Sequence, residues 1–262
     1  MPLIYLTDLR LNADISGPAS GPPLVLLHAL GTDLTIWDDL LPLLPKTLRI
    51  LRLDLRGHGK SDVPPPPYPM GALIRDVETA MDHFGLRDAV ILGVSLGGLI
   101  AQGLAVKRPD LVRALILSNT AARIGSPALW QARSDEIAET GLTAYAPGAM
   151  QRMFGRGWAD NPAMPKIRAL LQATDPQGWI GCAKAIAGAD FYTTTAALTL
   201  PTLVIAGTND ATTPPDLVRE TAGLIAGSRF ALIRGTGHLP FVEKPTDYAA
   251  LVADFLASVG HS

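Results

Sequence analysis

Ala89-Val90-Ile91-Leu92-Gly93-Val94-Ser95-Leu96-Gly97-Gly98-Leu99 is the stretch that decides the fold of this chain. Ala89 to Leu92 is an unbroken apolar run and reads as a buried strand. From Leu99 a second apolar run continues to Val106, where Lys107, Arg108 and Pro109 end it as a helix ends. Between the two stands one serine fenced by glycines. In this Gly-x-Ser-x-Gly arrangement a tight strand-to-helix turn strains the serine backbone and presents its hydroxyl, and larger flanking side chains would collide. The pattern alone occurs by chance in about one chain in ten of this length, so its place between strand and helix carries the weight.

Two other readings of the stretch fail on its residues. Ala89 to Val106 carries no charge, which raises a membrane-spanning helix, but Gly93, Ser95, Gly97, Gly98, Gln102 and Gly103 suit one poorly. A phosphate-cradling loop needs either a Gly-Lys-Ser/Thr ending or dinucleotide glycine spacing, and neither is present.

Working outward, Leu24 to Leu27 and Leu48 to Leu53 are further buried strands, and Leu3 to Leu6 and Arg10 to Ile15 form an antiparallel edge before them. A helix is expected over Leu34 to Leu41. Leu73, Ile74, Val77, Met81 and Phe84 recur at helical spacing, predicting an amphipathic helix that feeds the central strand. Val112 to Leu117 is the next strand, and Thr202 to Ala206 follows only some 80 residues later, too far for a loop. Segments near Ala128 to Glu139, Ala144 to Phe154, Pro165 to Thr174 and Gln177 to Ala187 have helical composition, so a small helical cap is expected in the gap. After it come a helix from about Pro214, a strand at Phe230 to Ile233 and a last helix at Tyr248 to Val259. Strands alternating with helices imply a mostly parallel sheet flanked by helices, with ligands bound at the carboxyl ends of its strands.

With 262 residues, 48% of them hydrophobic, the chain is long enough for one large core. The single Cys182 excludes an internal disulfide. Met1 to Arg10 lacks a basic start, so a secretory leader is not expected and a cytoplasmic location is. A net charge of -2 without blocks of like charge gives no footprint for nucleic acid or an anionic membrane. The expected partner is a small-molecule substrate, no cofactor is called for, and the oligomeric state stays open.

A serine hydroxyl needs a base to take its proton, and the base needs an acid that fixes its tautomer and stabilises its cation. His238 follows a strand in the loop Gly237-His238-Leu239-Pro240, and Asp210 follows another in Gly207-Thr208-Asn209-Asp210. Each has a plainer reading: Asp210 could cap the next helix, and a histidine alone is more often structural. Among the other histidines, His28 and His58 sit in glycine-bearing turns and are expected to bond backbone, His83 lies on the amphipathic helix and His261 in the tail. No pair has metal-ligand spacing, so no metal site is expected. Donors for an oxyanion are expected from the backbone N–H groups of Leu96, at the start of the elbow helix, and Leu30, in the loop after the preceding strand.

With these residues in place the chain resembles the α/β-hydrolases over nearly its whole length. The likeness runs through His28-Ala29-Leu30-Gly31, Arg56-Gly57-His58-Gly59-Lys60-Ser61, the serine elbow, Gly207-Thr208-Asn209-Asp210 and Gly237-His238. Ala29 stands where many relatives have glycine. The resemblance divides the chain into a hydrolase core at 1–120 and 199–262 and a cap at 121–198. Within that group it is most similar to the 3-oxoadipate enol-lactonases. That likeness rests on Leu30-Gly31-Thr32-Asp33-Leu34 with Trp37, on Ser118-Asn119-Thr120-Ala121-Ala122-Arg123-Ile124 followed by Trp130, and on Asp175-Pro176-Gln177-Gly178. It implies opening of a carboxylate-bearing enol-lactone through an acyl-enzyme on Ser95. A substrate carboxylate calls for a cation in the cap, with Trp130 and Arg133, one helical turn apart, or Arg123 as candidates. Asn119 ends a strand where some relatives keep the acid, and it carries no charge, which favours Asp210. A general carboxylesterase or perhydrolase, a carbon-carbon bond hydrolase and a ligand receptor on a retained hydrolase fold share the same triad.

Overall fold

In the computed structural model, which describes residues 3–6, 8–155 and 158–262, eight strands form one sheet. They are β1 (Leu3–Tyr5), β2 (Arg10–Ser16), β3 (Pro23–Leu27), β4 (Arg49–Leu53), β5 (Ala89–Val94), β6 (Val112–Ser118), β7 (Thr202–Gly207) and β8 (Arg229–Ile233). Their order across the sheet is β1-β2-β4-β3-β5-β6-β7-β8. The first two strands pair antiparallel at one edge, and β3 to β8 run parallel. Met1 and Pro2, at the start of the segment read for a leader, lie outside the described residues.

Among the described residues nine helices accompany the sheet: α1 (Met70–His83), α2 (Leu96–Lys107), α3 (Pro127–Phe154), α4 (Met164–Ala173), α5 (Pro176–Ala187), α6 (Tyr192–Ala196), α7 (Pro215–Leu224), α8 (Pro240–Glu243) and α9 (Pro245–Ser258). Every residue of β5 and β7 is buried, as strands covered on both faces must be, and this explains their unalternating apolar composition. The segment that raised a membrane span is split at Ser95 into β5 and α2, and no helix among the described residues is long and apolar enough to cross a membrane.

The helices α3 to α6 fill the chain between β6 and β7, where an insertion is expected. Helix α3 spans two of the expected segments and is broken between them by Gly141, whose φ of 77° no ordinary helical residue adopts. The helix expected over Leu34 to Leu41 is a correction: a 3-10 turn at Leu34–Trp37 is followed by another at Leu41–Leu43. The backbone bonds here close on the third residue, Asp38 N–H to Thr35 and Leu40 N–H to Trp37, and Pro42, just past the expected end, would clash with the carbonyl four residues back in an α-helix. Trp37 stacks on Phe241 at 4.2 Å, and Phe241 meets Tyr248 edge-on at 5.5 Å, so this turn underpins the chain just after His238.

The turn Arg56-Gly57-His58-Gly59 is anchored from below. Arg56 meets the buried carboxylate of Asp76 on α1 through Nε–H at 2.6 Å and Nη2–H at 2.7 Å, a two-pronged pair in the interior.

Candidate active site

Ser95 joins β5 to α2 with φ 56° and ψ -115°, a backbone conformation side chains rarely adopt. The neighbouring glycines explain how the turn closes. A Cβ on Gly93 would collide with the Gly97 carbonyl, one on Gly97 with the Leu27 carbonyl, and one on Gly98 with the Thr120 side chain. Thr120 also donates its hydroxyl to the Ser95 carbonyl at 2.7 Å, tying the elbow to the end of β6.

His238 and Asp210 come together although they follow different strands. The Nδ1–H of His238 donates to Asp210 Oδ2 at 2.7 Å, which leaves Nε2 free to accept a proton. Asp210 does not cap the next helix, which begins after Pro214 with no side-chain cap bond; its carboxylate is held in the turn before it. Its Oδ1 accepts from the backbone N–H groups of Thr212 at 2.7 Å and Thr213 at 3.1 Å, while Oδ2 also accepts from Thr213 Oγ1 at 2.8 Å and Asn119 Nδ2 at 2.9 Å. Burial alone would raise this carboxyl's pKa, but the charge and hydrogen bond of His238, with those from Asn119 and Thr213, hold it below the ordinary value. Asp210 is therefore an anion at working pH. Asn119, whose lack of charge set it aside as an acid, is the residue that orients the acid: its Nδ2 also donates to the Gly237 carbonyl at 3.1 Å.

Leu30, Ser95 and His238 line one cavity with Trp130, Arg133, Tyr145, Arg152 and Trp179 from the inserted helices. Neither the Leu30 nor the Leu96 N–H makes a backbone hydrogen bond among the described residues, so both are available to an oxyanion. The Leu30 turn is held by two neutral histidines. His58 Nε2 accepts from the Gly31 N–H at 2.9 Å, and His28 Nε2 accepts from the Leu55 N–H at 2.9 Å. Burial, reinforced by His28, pushes His58 down to about 3, so it keeps this acceptor unprotonated. His261, read as a tail residue, is buried, and its Nε2–H donates to the Pro23 carbonyl at 2.8 Å.

Trp179 meets Tyr145 at 5.4 Å and Trp130 at 6.2 Å, forming an aromatic wall. Arg133 lies over Trp130 at 4.9 Å and Arg152 over Tyr145 at 5.1 Å. Neither arginine has an ion pair among the described residues. Burial pulls the Arg133 pKa down, and the charge of Arg152 adds to the fall while Tyr145 opposes it. Two cations on one largely apolar cavity make a site that an anion would relieve. The structure places Arg123 elsewhere, with Nη1 at 3.5 Å from Asp190 and no part in the cavity lining. Arg152 was missed in the sequence because it stands more than five helical turns along α3 from Arg133, past the break at Gly141.

No group of three or more His, Cys, Asp or Glu side chains that could hold a metal occurs among the described residues. What the site offers is a serine, a histidine oriented by a carboxylate, two free backbone donors and two arginines.

Residues 22–140 match the family described as alpha/beta hydrolase fold. The chain is 36% identical to 3-oxoadipate enol-lactonase 2 of Acinetobacter baylyi, over 91% of this chain and 90% of that protein. It is 31% identical to a pimeloyl-[acyl-carrier protein] methyl ester esterase of Neisseria meningitidis, over 93% of this chain and 80% of that protein. The crystal structure of the enol-lactonase from Burkholderia xenovorans LB400 superposes with a TM-score of 0.94 at 34% identity, covering 98% of this chain and all of that one.

Proposed function

The chain belongs to the α/β hydrolase family, and on that premise we propose that it opens a small carboxylate-bearing enol-lactone, 3-oxoadipate enol-lactone being the fitting substrate. The observation that carries this reading is the pair Arg133 and Arg152, two cations without carboxylate partners among the described residues, facing the cavity that holds Ser95 and His238. The likeness to two proteins named as enol-lactonases supports it.

In this reading His238 Nε2 takes the Ser95 proton as the serine oxygen attacks the lactone carbonyl. The Leu30 and Leu96 N–H groups receive the negative charge that develops on the carbonyl oxygen. Collapse breaks the ring carbon–oxygen bond, and the departing oxygen takes the proton held by His238 Nε2 and leaves as an enol that tautomerises to a ketone. Water, deprotonated by His238, then attacks the acyl-enzyme, and Ser95 recovers its proton. Asp210 keeps the imidazole in the tautomer both steps need. The arginines hold the substrate's own carboxylate away from the reacting centre, so their binding energy serves orientation.

A methyl or aryl esterase is the second reading, favoured by the likeness to the Neisseria esterase. Steady-state assays of 3-oxoadipate enol-lactone beside simple aryl esters test the proposal. A kcat/KM that favours the lactone is expected, and a preference for neutral esters overturns it.

A further inference from the structure

Glu243 ends α8, in the turn that follows His238, and is half-buried. Its Oε1 accepts from the backbone N–H of Gly237 at 2.7 Å, immediately before His238. Its Oε2 accepts from Asn161 Nδ2 at 2.8 Å, a residue of the insertion just before α4. Asn161 is itself fixed, since its Oδ1 accepts from the Ala163 N–H at 2.9 Å. One carboxylate thus joins the histidine loop to the inserted helices. The same seam carries the His238 N–H donating to the Met153 carbonyl at 2.6 Å and the Ala211 N–H donating to the Arg152 carbonyl at 3.0 Å.

We propose that Glu243 is a positioning residue for His238, whose ionised carboxylate locks the Gly237-His238 backbone to Asn161 and so couples placement of the base to seating of the inserted helices. The proposal rests on the reading of Ser95 and His238 as nucleophile and base.

The chemistry of the carboxylate is what the geometry demands. Two donors, the Gly237 N–H and the Asn161 amide, meet two acceptor oxygens. Protonation turns one oxygen into a hydroxyl that confronts a donor, and glutamine carries the same mismatch at every pH. Burial pushes the Glu243 carboxyl up to about 7, with the charge of Asp210 adding to the rise and the two hydrogen bonds and His238 opposing it. Across the adjoining side cavity Lys166 Nζ pairs with Asp39 at 2.9 Å, and the neighbouring Lys244 Nζ donates to the Arg234 carbonyl at 2.8 Å. No cation pairs with Glu243 among the described residues, so its charge is held by neutral donors. The lock is set above pH 7 and loosened below it.

The test is the rate at which a fluorophosphonate labels Ser95 between pH 5.5 and 8.5 in the wild type, Glu243→Gln, Asn161→Ala and Ser95→Ala. The wild-type to Glu243→Gln ratio is expected near one at pH 5.5, rising through pH 7 to about tenfold at pH 8.5, because a displaced base costs rate steeply. Asn161→Ala removes one bond that favours the carboxylate, so its rise in rate is expected at a higher pH than in the wild type. A ratio flat across the range, or a midpoint unmoved in Asn161→Ala, overturns the role of Glu243 while leaving the serine hydrolase standing. Labelling of the wild type no faster than of Ser95→Ala overturns both.

Discussion

Asn119 donates its side-chain amide at 2.9 Å to Asp210 Oδ2, the same oxygen that receives the Nδ1–H of His238 at 2.7 Å. A residue at the end of β6 thereby aims an acid carried beyond β7. In Asp210→Asn either the Asn119 amide or the imidazole faces the wrong partner. Turnover is expected to fall about ten-thousandfold with KM little changed. Ser95→Ala is expected to lose about a thousandfold to a millionfold. Steady-state kinetics on one lactone or ester check both, and near-normal rates in either variant remove that residue from the mechanism.

Asp210 also leaves a mark on stability. Its folded pKa lies below the ordinary carboxyl value of 3.8, so the stabilisation it gives is complete above the unfolded value and disappears as pH falls through the folded one. The difference in melting temperature between the wild type and Asp210→Asn is expected to hold steady from pH 7 to 5 and to shrink below about pH 4. Scanning calorimetry at stepped pH measures it. A difference that does not change down to pH 3 contradicts the assignment of that charge.

Glu243 predicts the opposite sign. Its pKa is raised to about 7 from 4.5, so its contribution is complete below 4.5 and is lost as pH rises through 7. The melting temperature of the wild type minus that of Glu243→Gln is therefore expected to decrease between pH 5 and 8. The variant that labels more slowly at high pH gains relative stability there, as any buried carboxyl with a raised pKa requires, so the positioning role is read from the labelling rates and the burial from the melting temperatures.

Arg133→Gln and Arg152→Gln each leave the other arginine in the cavity. Each is expected to raise KM for a carboxylate-bearing substrate about tenfold to a hundredfold, in line with about 1.5–3 kcal/mol for a hydrogen bond to a charged group. Neutral aryl esters should be nearly indifferent. Equal losses on charged and neutral substrates would show that the arginines shape the wall without reading charge.

Asp76→Ala strips the buried Arg56 of its two-pronged partner and leaves it only the exposed Asp8, 3.5 Å from Nη2. A loss of about 3–5 kcal/mol is expected, read by urea unfolding, and a loss below about 1 kcal/mol would show that solvent reaches Arg56.

The parts of the site that could be read from the sequence are those written in local chain chemistry. Ser95 stands out because only glycines fit beside it, and Asp210 and His238 because each ends an apolar run in a glycine-bearing loop. The same holds for β5 and β7, whose burial on both faces leaves no polar alternation to blur them. Residues whose roles depend on how the insertion sits were not legible. Arg152 reaches the cavity only through the course of α3, and Glu243 becomes half-buried only because Asn161 arrives from elsewhere. Arg123 and Arg133 looked equivalent as sequence; the pairing of Arg123 with Asp190 separates them. Over Leu34 to Leu41 the apolar pattern suits a 3-10 turn as well as an α-helix, so composition overstated the element.

The carbonyls of Arg152 and Met153 close the last turn of α3 and accept the amides of Ala211 and His238. Chimeras that exchange substrate ranges by transplanting whole lids would sever these bonds along with the old specificity. In this chain the transplantable unit ends before Arg152, and a donor lid spliced beyond that point brings a new foundation for the acid and the base whether or not one is wanted.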